Sequence, residues 1–412
     1  MQRLTLRGAV RAGCLGFVLA FVASLLAPPA QATVWVVGPG AQPFSSAQTM
    51  SSAQPVSSPP PMSFAQAVRQ AQDGDTIEVR PGEYRGDVVV VLQRRLTLRG
   101  RGTRPVFIAA GRAAEGKAIW VIRNGDVTIE NIEFRGARVP SRNGAGLRFE
   151  QGRLTLRRCA FFDNQNGILT GNVETAELHI EDSEFGHAPR TREALHHLLY
   201  VGRIARFSIT GSRFQNGFFA HLIKSRARES LIAYNLIADG PDGAAAYEID
   251  LPNGGQARLI GNVIQQSVKT SNPVVVAFGA EGKAWPGSAL FMAHNTLISD
   301  VRPGAWYLRV WEDQLPPDTP VQVLNNLTVG TGVLSLGAPG HFEGNYPALA
   351  SMLRDIEALD FRLAPDSLLR GRGVAPKLAD GTDLAPQAEF TLPVGTQPLQ
   401  APAHWTPGAF QR

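Results

Sequence analysis

The chain has 412 residues, 44% of them hydrophobic and 18% charged, which is ample for a large core and excludes a disordered chain. Its 40 basic and 35 acidic residues give a formal charge of only +5, so any preference for anions has to come from local clusters. Forty-two glycines, 29 prolines and modest aromatic content suit many short strands joined by turns.

The first 32 residues carry Arg3, Arg7 and Arg11, an apolar run from Cys14 to Ala27, and a small-x-small site at Ala30-Gln31-Ala32. This predicts an export signal cleaved after Ala32, because the apolar run is shorter than the ~20 residues that a membrane-spanning helix needs. No later segment is long and apolar enough to span a membrane, so the mature chain is expected in the periplasm or outside the cell. Removing the three arginines leaves 37 basic against 35 acidic residues, which argues against nucleic acid as a partner. Cys14 leaves with the signal and Cys159 remains alone, so no disulfide can form within the chain. A single cysteine on a strand reads as a small buried hydrophobe, and the mature protein is expected to be a monomer.

The Ser/Pro/Gln-rich stretch 45–61 reads as a flexible insert. Further along, one pattern recurs in VTIENIEF (127–134), LTLRRCAF (154–161), HIEDSEF (179–185), FSITGSRF (207–214), LIAYNLI (231–237), RLIGNVI (258–264), FMAHNTL (291–297) and QVLNNL (322–327). Each alternates like a strand, passes a small or polar residue, and closes on Phe134, Phe161, Phe185, Phe214, Ile237, Ile264, Leu297 or Leu327. The closers lie 23 to 33 residues apart, and no helical pattern intervenes. A drifting period of this size predicts a β-solenoid.

A second strand precedes each of these, as in GLRFEQG (146–152), HLIKSRA (221–227) and YEIDLPN (247–253). At least two strands per coil fit a parallel β-helix, and the wider spacings imply loops projecting from some coils. Asn235, Asn262, Asn295 and Asn325 are expected to stack as an asparagine ladder at a turn. PNGG (252–255) reads as a tight turn.

PMSFAQAVRQAQDGDTIEVRPGEYRG (61–86) resembles the opening of right-handed parallel β-helix proteins of the pectin-lyase-like superfamily, which implies a short helix over about 63–72 capping the open end of the stack and a first coil beginning at Asp75-Thr76-Ile77. DFRLAPDSLLRGRG (360–373) and GAFQ (408–411) resemble that superfamily's final coils. The resemblance implies an all-β, single-stranded right-handed parallel β-helix with a short N-terminal capping helix over 33–412, with final coils and tail over 340–412. It does not fix an activity, since the fold hosts lyases, hydrolases, epimerases and adhesins.

The segment FFAHLIKSRARESLIAYNLI (218–237) sets a basic cluster on a strand. Aligning His197, His221 and Tyr247 turns Leu199, Ile223 and Ile249 inward, followed by Val201, Ser225 and Leu251. The outward set is then Leu198, Leu222 and Glu248, next Tyr200, Lys224 and Asp250, and next Gly202, Arg226 and Pro252. The opposite register would bury Lys224, Arg226 and Asp250 at a cost of several kcal/mol per unpaired charge. Arg148 and Thr170 are expected to continue the column on earlier coils. His197 and His221 fall near the bend, and the loop 186–196 is a candidate groove wall. Trp285, Trp306, Tyr307 and Trp311 are candidate platforms for sugar rings.

This grouping suits an anionic polysaccharide or oligosaccharide as partner. β-Elimination at a uronic acid needs its carboxylate neutralised, a base for the C5 proton and an acid for the departing O4. Arg226 suits the first task. Lys224, with its pKa lowered by Arg226 and Arg228, suits the second, and Tyr200 or a neighbouring histidine the third. HLIKSRARESLIAYNLI also resembles the lysine-bearing coil of the chondroitinase-B-type and alginate lyase family, which implies Lys224 as the base. That family's arginine acid would fall where this chain has Asp250, and its Asn/Glu/Glu calcium cluster has no counterpart here.

The candidate catalytic residues are therefore Lys224, Tyr200, Arg226, His221 and Asp250. Arg148, His197, Glu248, Asn253, Trp306 and Trp311 are the candidate substrate contacts. An inverting glycoside hydrolase is the runner-up, since Glu248 and Asp250 on one strand face would stand roughly 6.5–7 Å apart. A uronate epimerase and a non-catalytic binding module complete the set. No cofactor is expected, with calcium an option through Glu248, Asp250 or the Asp239/Asp242 loop.

Overall fold

The structure is a computed structural model that describes residues 32–39, 62–378 and 381–412. All but the last residue of the expected signal 1–32, and the insert 45–61, lie outside the described residues. Strands of alternating burial recur along the chain. In Arg153–Arg157, for example, Leu154 and Leu156 are buried while Arg153 faces solvent. Each such strand pairs in parallel with its counterparts one coil before and after, Leu154 meeting Val127 and Leu178. Three parallel sheets of 12, 10 and 11 strands result, wound as a right-handed parallel β-helix, the hand that parallel crossovers take. The apolar side chains of all three sheets meet in one continuous core.

Each recurring motif is in fact two strands separated by a corner. The corner residue is left-handed, as at Arg158, Asp182 and Tyr234, where φ is +52°, +49° and +56°. The residue after it points inward and stacks on its counterpart in the next coil. From Asn235 onward this is an asparagine ladder. The backbone N–H and side-chain amide of Asn235 both donate to Asn262 Oδ1, at 3.1 and 3.0 Å, and Asn262 repeats this on Asn295. The ladder continues through Asn326 rather than Asn325. The same one-residue slip moves Leu327, since Leu297 pairs with Thr328. Asn325 is instead the left-handed corner residue of its coil, with φ of +55°. On the coils before the ladder Phe134, Phe161, Phe185 and Phe214 stack at 5.2, 4.9 and 4.6 Å, close to the spacing of adjacent strands.

The ends are closed differently. Helix Phe64–Gln70 is started by a capping box between Ser63 and Gln66, which satisfies two free N–H groups. Its Phe64 stacks on Trp120 at 4.5 Å and seals the amino-terminal end. At the other end the coils stop at Tyr346–Ala348. Leu353–Asp355 and Asp360–Leu363 then pair antiparallel, so 360–373 is not a further coil. The tail runs back along the helix, with Val374 bound to Asn325 and Gly395 N–H to Gly211 O.

His294 ties this tail to the coils. Its Nδ1–H donates to Thr406 O at 3.2 Å, and its Nε2 accepts from the Asn325 amide at 3.0 Å. Burial pushes this imidazole down to about 4, against 6.5 when unconstrained. The unfolded chain takes up the proton first, so stability is lost as pH falls from about 6.5 towards 4. His294→Gln is expected to remove an acid-induced loss on the order of 2 kcal/mol. Denaturant titrations of both proteins at pH 7 and 4.5 check this.

Candidate functional site

The ten-stranded sheet carries the basic cluster. Its register pairs His221 with Tyr247, Tyr200 with Lys224, and Lys224 with Asp250. Leu199, Val201, Ile223, Ile249 and Leu251 are fully buried in the core, so the alternation turns Tyr200, Lys224 and Asp250 outward. On earlier coils the column continues through Leu169 and Arg148. Thr170, expected in that place, pairs with Phe149 instead and is buried. Towards the other end the column passes to Ala277 and Arg309.

Lys224 is the centre of an ion-pair network. Its Nζ lies 3.0 Å from Asp250 Oδ2 and 2.6 Å from Glu281 Oε1. Glu281 Oε2 in turn lies 2.5 Å from the Arg226 guanidinium. Arg226 Nε donates to the Tyr200 hydroxyl at 3.0 Å, and its Nη1 to Asn253 Oδ1 at 2.7 Å. His221 Nδ1 stands 3.2 Å from Asp250 Oδ2. The rings of His197, His221 and Tyr247 contact edge to face in a row, each pair 4.8 Å apart.

The protonation states follow from these contacts. Burial works to lower the pKa of Lys224, but Asp250 and Glu281 outweigh it and hold the ammonium above its ordinary range. The expectation of a lysine base with a lowered pKa is thereby corrected: two carboxylates, not two arginines, dominate its surroundings. Burial disfavours the Asp250 and Glu281 charges, yet the cations beside them keep both below the usual carboxylate range. His197 is driven the other way. Burial, and then its neighbours His221, Lys224 and Arg226, hold its imidazole well below the usual value, so it is neutral.

Glu248 is not on this surface. It is fully buried and accepts from Gln266 Nε2 at 3.2 Å. Burial, reinforced by nearby Asp239, raises its pKa well above the usual range. The outward placement of Glu248 and the two-carboxylate geometry for a hydrolase are both corrected by this: one acid is sealed in, and the other is paired with Lys224. An unfolded glutamate ionises near 4.5 while Glu248 keeps its proton when folded, so stability falls as pH rises from there. Glu248→Gln should be more stable than the parent at pH 7. Thermal melts of both proteins at pH 5 and 7 would show the gap widening with pH, and a less stable variant would count against this.

The other candidates divide between groove and support. Asn253 is buried, and besides holding Arg226 it donates to Gly282 O at 2.6 Å, so it props a loop rather than facing a ligand. Trp285 is nearly buried, with its indole N–H on Arg226 O at 2.9 Å. Tyr307 is buried too, its hydroxyl on Val329 O, so neither ring is an open platform. Trp306 and Trp311 are half-buried and flank the Arg309 guanidinium at 4.7 and 4.3 Å, away from the groove. The carboxylates named for calcium are separately engaged. Asp239 is buried, with its oxygens on Gly217 and Ala245 N–H groups, and Asp242 pairs with Lys269. Among the described residues no three such side chains converge for a metal.

A groove of about 540 Å³ opens over this face, lined by Arg148, Leu169, His197, Tyr200, Lys224, Arg226 and Glu281 among others. Leu195, from the 186–196 loop, contributes to one side. Glu281 comes from a loop that the strand pattern does not single out. Its only trace in the sequence is the widest closer spacing, between Ile264 and Leu297, which marks the coil bearing the largest insertion.

No family model and no curated protein matches this sequence. Among solved structures, pectate lyase Pel9A superposes over 92% of this chain and 96% of its own, with a TM-score of 0.59 and 14% identity. The PL6 family alginate lyase AlyGC aligns over 74% of this chain and 54% of its own, at a TM-score of 0.32 and 15% identity. ORF18 of Geobacillus virus E2 aligns over 82% and 72%, at 0.35 and 11%. The likeness to Pel9A bears on the fold alone: the chain is a parallel β-helix. No helix among the described residues is long and apolar enough to cross a membrane.

Proposed function

We propose that this is an exported protein, periplasmic or extracellular, that cleaves a uronic-acid-containing polysaccharide by β-elimination in the groove over the ten-stranded sheet. One observation carries the reading. Lys224 and Arg226 converge on a single carboxylate beside the Tyr200 hydroxyl, and neutral His197 lines the same groove.

In this reading Lys224 and Arg226 neutralise the uronate carboxylate, which makes the adjacent C5–H more acidic. His197, uncharged and therefore holding a free electron pair, takes the C5 proton. The electrons form the C4–C5 double bond as the C4–O4 bond breaks, and O4 receives a proton from Tyr200. With its oxygen already accepting from Arg226, the Tyr200 O–H is left to point at the ligand. Arg148 provides a further cation along the groove for the next acidic sugar.

A second reading, binding without turnover, is favoured by the pairing of Lys224 on both sides, which leaves it no free electron pair. Incubation with alginate, pectate, chondroitin, heparan and capsular polymers, followed by ultraviolet absorbance of an unsaturated uronate, separates the two. Elimination predicts a product signal from at least one polymer. Binding alone predicts retention of a polymer and no signal.

A further inference from the structure

We propose that Glu281 is a built-in substitute for the ligand's carboxylate: Lys224 and Arg226 together form a receptor for one free carboxylate, and a sugar acid enters by displacing Glu281. This rests on the reading that the groove takes an anionic sugar.

The two oxygens of Glu281 are shared out, one to each cation, at 2.6 and 2.5 Å. A uronate carboxylate presents the same planar pair of oxygens, so it can take the same two contacts. The partners are unequal in a telling way. The Lys224 and Arg226 side chains are 8% and 18% exposed, while that of Glu281 is 44% exposed at the groove mouth. The cations are fixed and the anion is the exchangeable member.

The Glu281 side chain is also not needed to hold its own loop. Glu281 N–H bonds Pro252 O, Trp285 N–H bonds Asn253 O, and the Asn253 amide holds Gly282 O. Arg203 donates to Lys283 O at 2.9 Å and lies 3.8 Å from the Trp285 ring centre. The carboxylate can therefore swing out while the backbone stays in place.

The consequence is a rule of selection. A free acid replaces Glu281 charge for charge. A methyl-esterified uronate or a neutral sugar would leave Arg226 without its carboxylate and Lys224 with Asp250 alone, and is rejected.

The test is calorimetric titration of the protein with the methyl glycosides of galacturonic, glucuronic and mannuronic acids and with their methyl esters. Glu281→Gln removes the competing charge, and Glu281→Asp keeps it but is too short to bridge both cations. In both variants at least one acid should bind about tenfold or more tighter than in the parent, with the esters unchanged. No gain in either folded variant would overturn the proposal, and so would an equal gain for the esters. Tightening with no unsaturated product from any polymer would keep this inference and remove the elimination reading. Product formation without tightening would do the reverse.

Discussion

Lys224→Ala is expected to destabilise the protein by about 3–5 kcal/mol, because it strands a buried carboxylate. Asp250 is 3% exposed, and Lys224 is its nearest cationic partner at 3.0 Å, with His221 at 3.2 Å. Glu281 would lose one of its two cations in the same step. The double variant Lys224→Ala/Asp250→Asn removes both charges of the pair and should recover most of the loss. Urea unfolding of the three proteins measures it. A Lys224→Ala protein within about 1 kcal/mol of the parent would mean that Asp250 is satisfied without Lys224. The same reasoning makes Lys224→Ala a poor probe of chemistry, since loss of turnover would be mixed with loss of folding.

Tyr200→Phe is the cleaner probe, and should lower turnover of a uronate polymer by about 10²–10⁴-fold, the usual contribution of a positioned proton donor. The ring stays, and with it the contact to His197 at 5.0 Å. Arg226 loses one hydrogen bond but keeps Asn253 and Glu281, so polymer binding should change little. Initial rates and binding constants measured side by side would check the split. Equal losses in binding and turnover would make Tyr200 a binding residue rather than a proton donor.

Much of the fold was legible because a solenoid repeats its constraints. Alternation fixes which face is buried, and the cost of burying Lys224, Arg226 and Asp250 selects one register. That is why Tyr200, Lys224 and Asp250 fall in one column as the alignment requires. Single-residue slips were harder. Asn325 and Asn326 look alike in the sequence, and only the ladder contacts tell them apart. Leu169 rather than Thr170 joins the outer column for a similar reason.

What stayed hidden depends on loops, whose paths follow no period. Glu281 reaches Lys224 across 57 residues of chain, and its carboxylate, with that of Asp250, reverses the expected direction of the Lys224 pKa. Glu248 has the parity that strict alternation turns outward, but Leu198 and Leu222 of the same parity lie in the core, and Glu248 is fully buried against Gln266. Alternation breaks at the entry to these strands, where Leu222 and Ile223 are both core residues.

The central claim is that an anionic sugar polymer binds where Lys224, Arg226 and Tyr200 meet, and the Trp285 indole N–H is a reporter for that place because it bonds Arg226 O. The most direct measurement is a nuclear magnetic resonance titration of the Tyr200→Phe protein with uronate oligosaccharides, following the indole signals. The account predicts that the Trp285 signal moves with an acidic oligosaccharide and not with its neutral counterpart, while that of Trp120, buried at the amino-terminal cap, stays fixed. A saturating acidic ligand that leaves Trp285 unmoved, or a neutral one that moves it equally, would contradict the account.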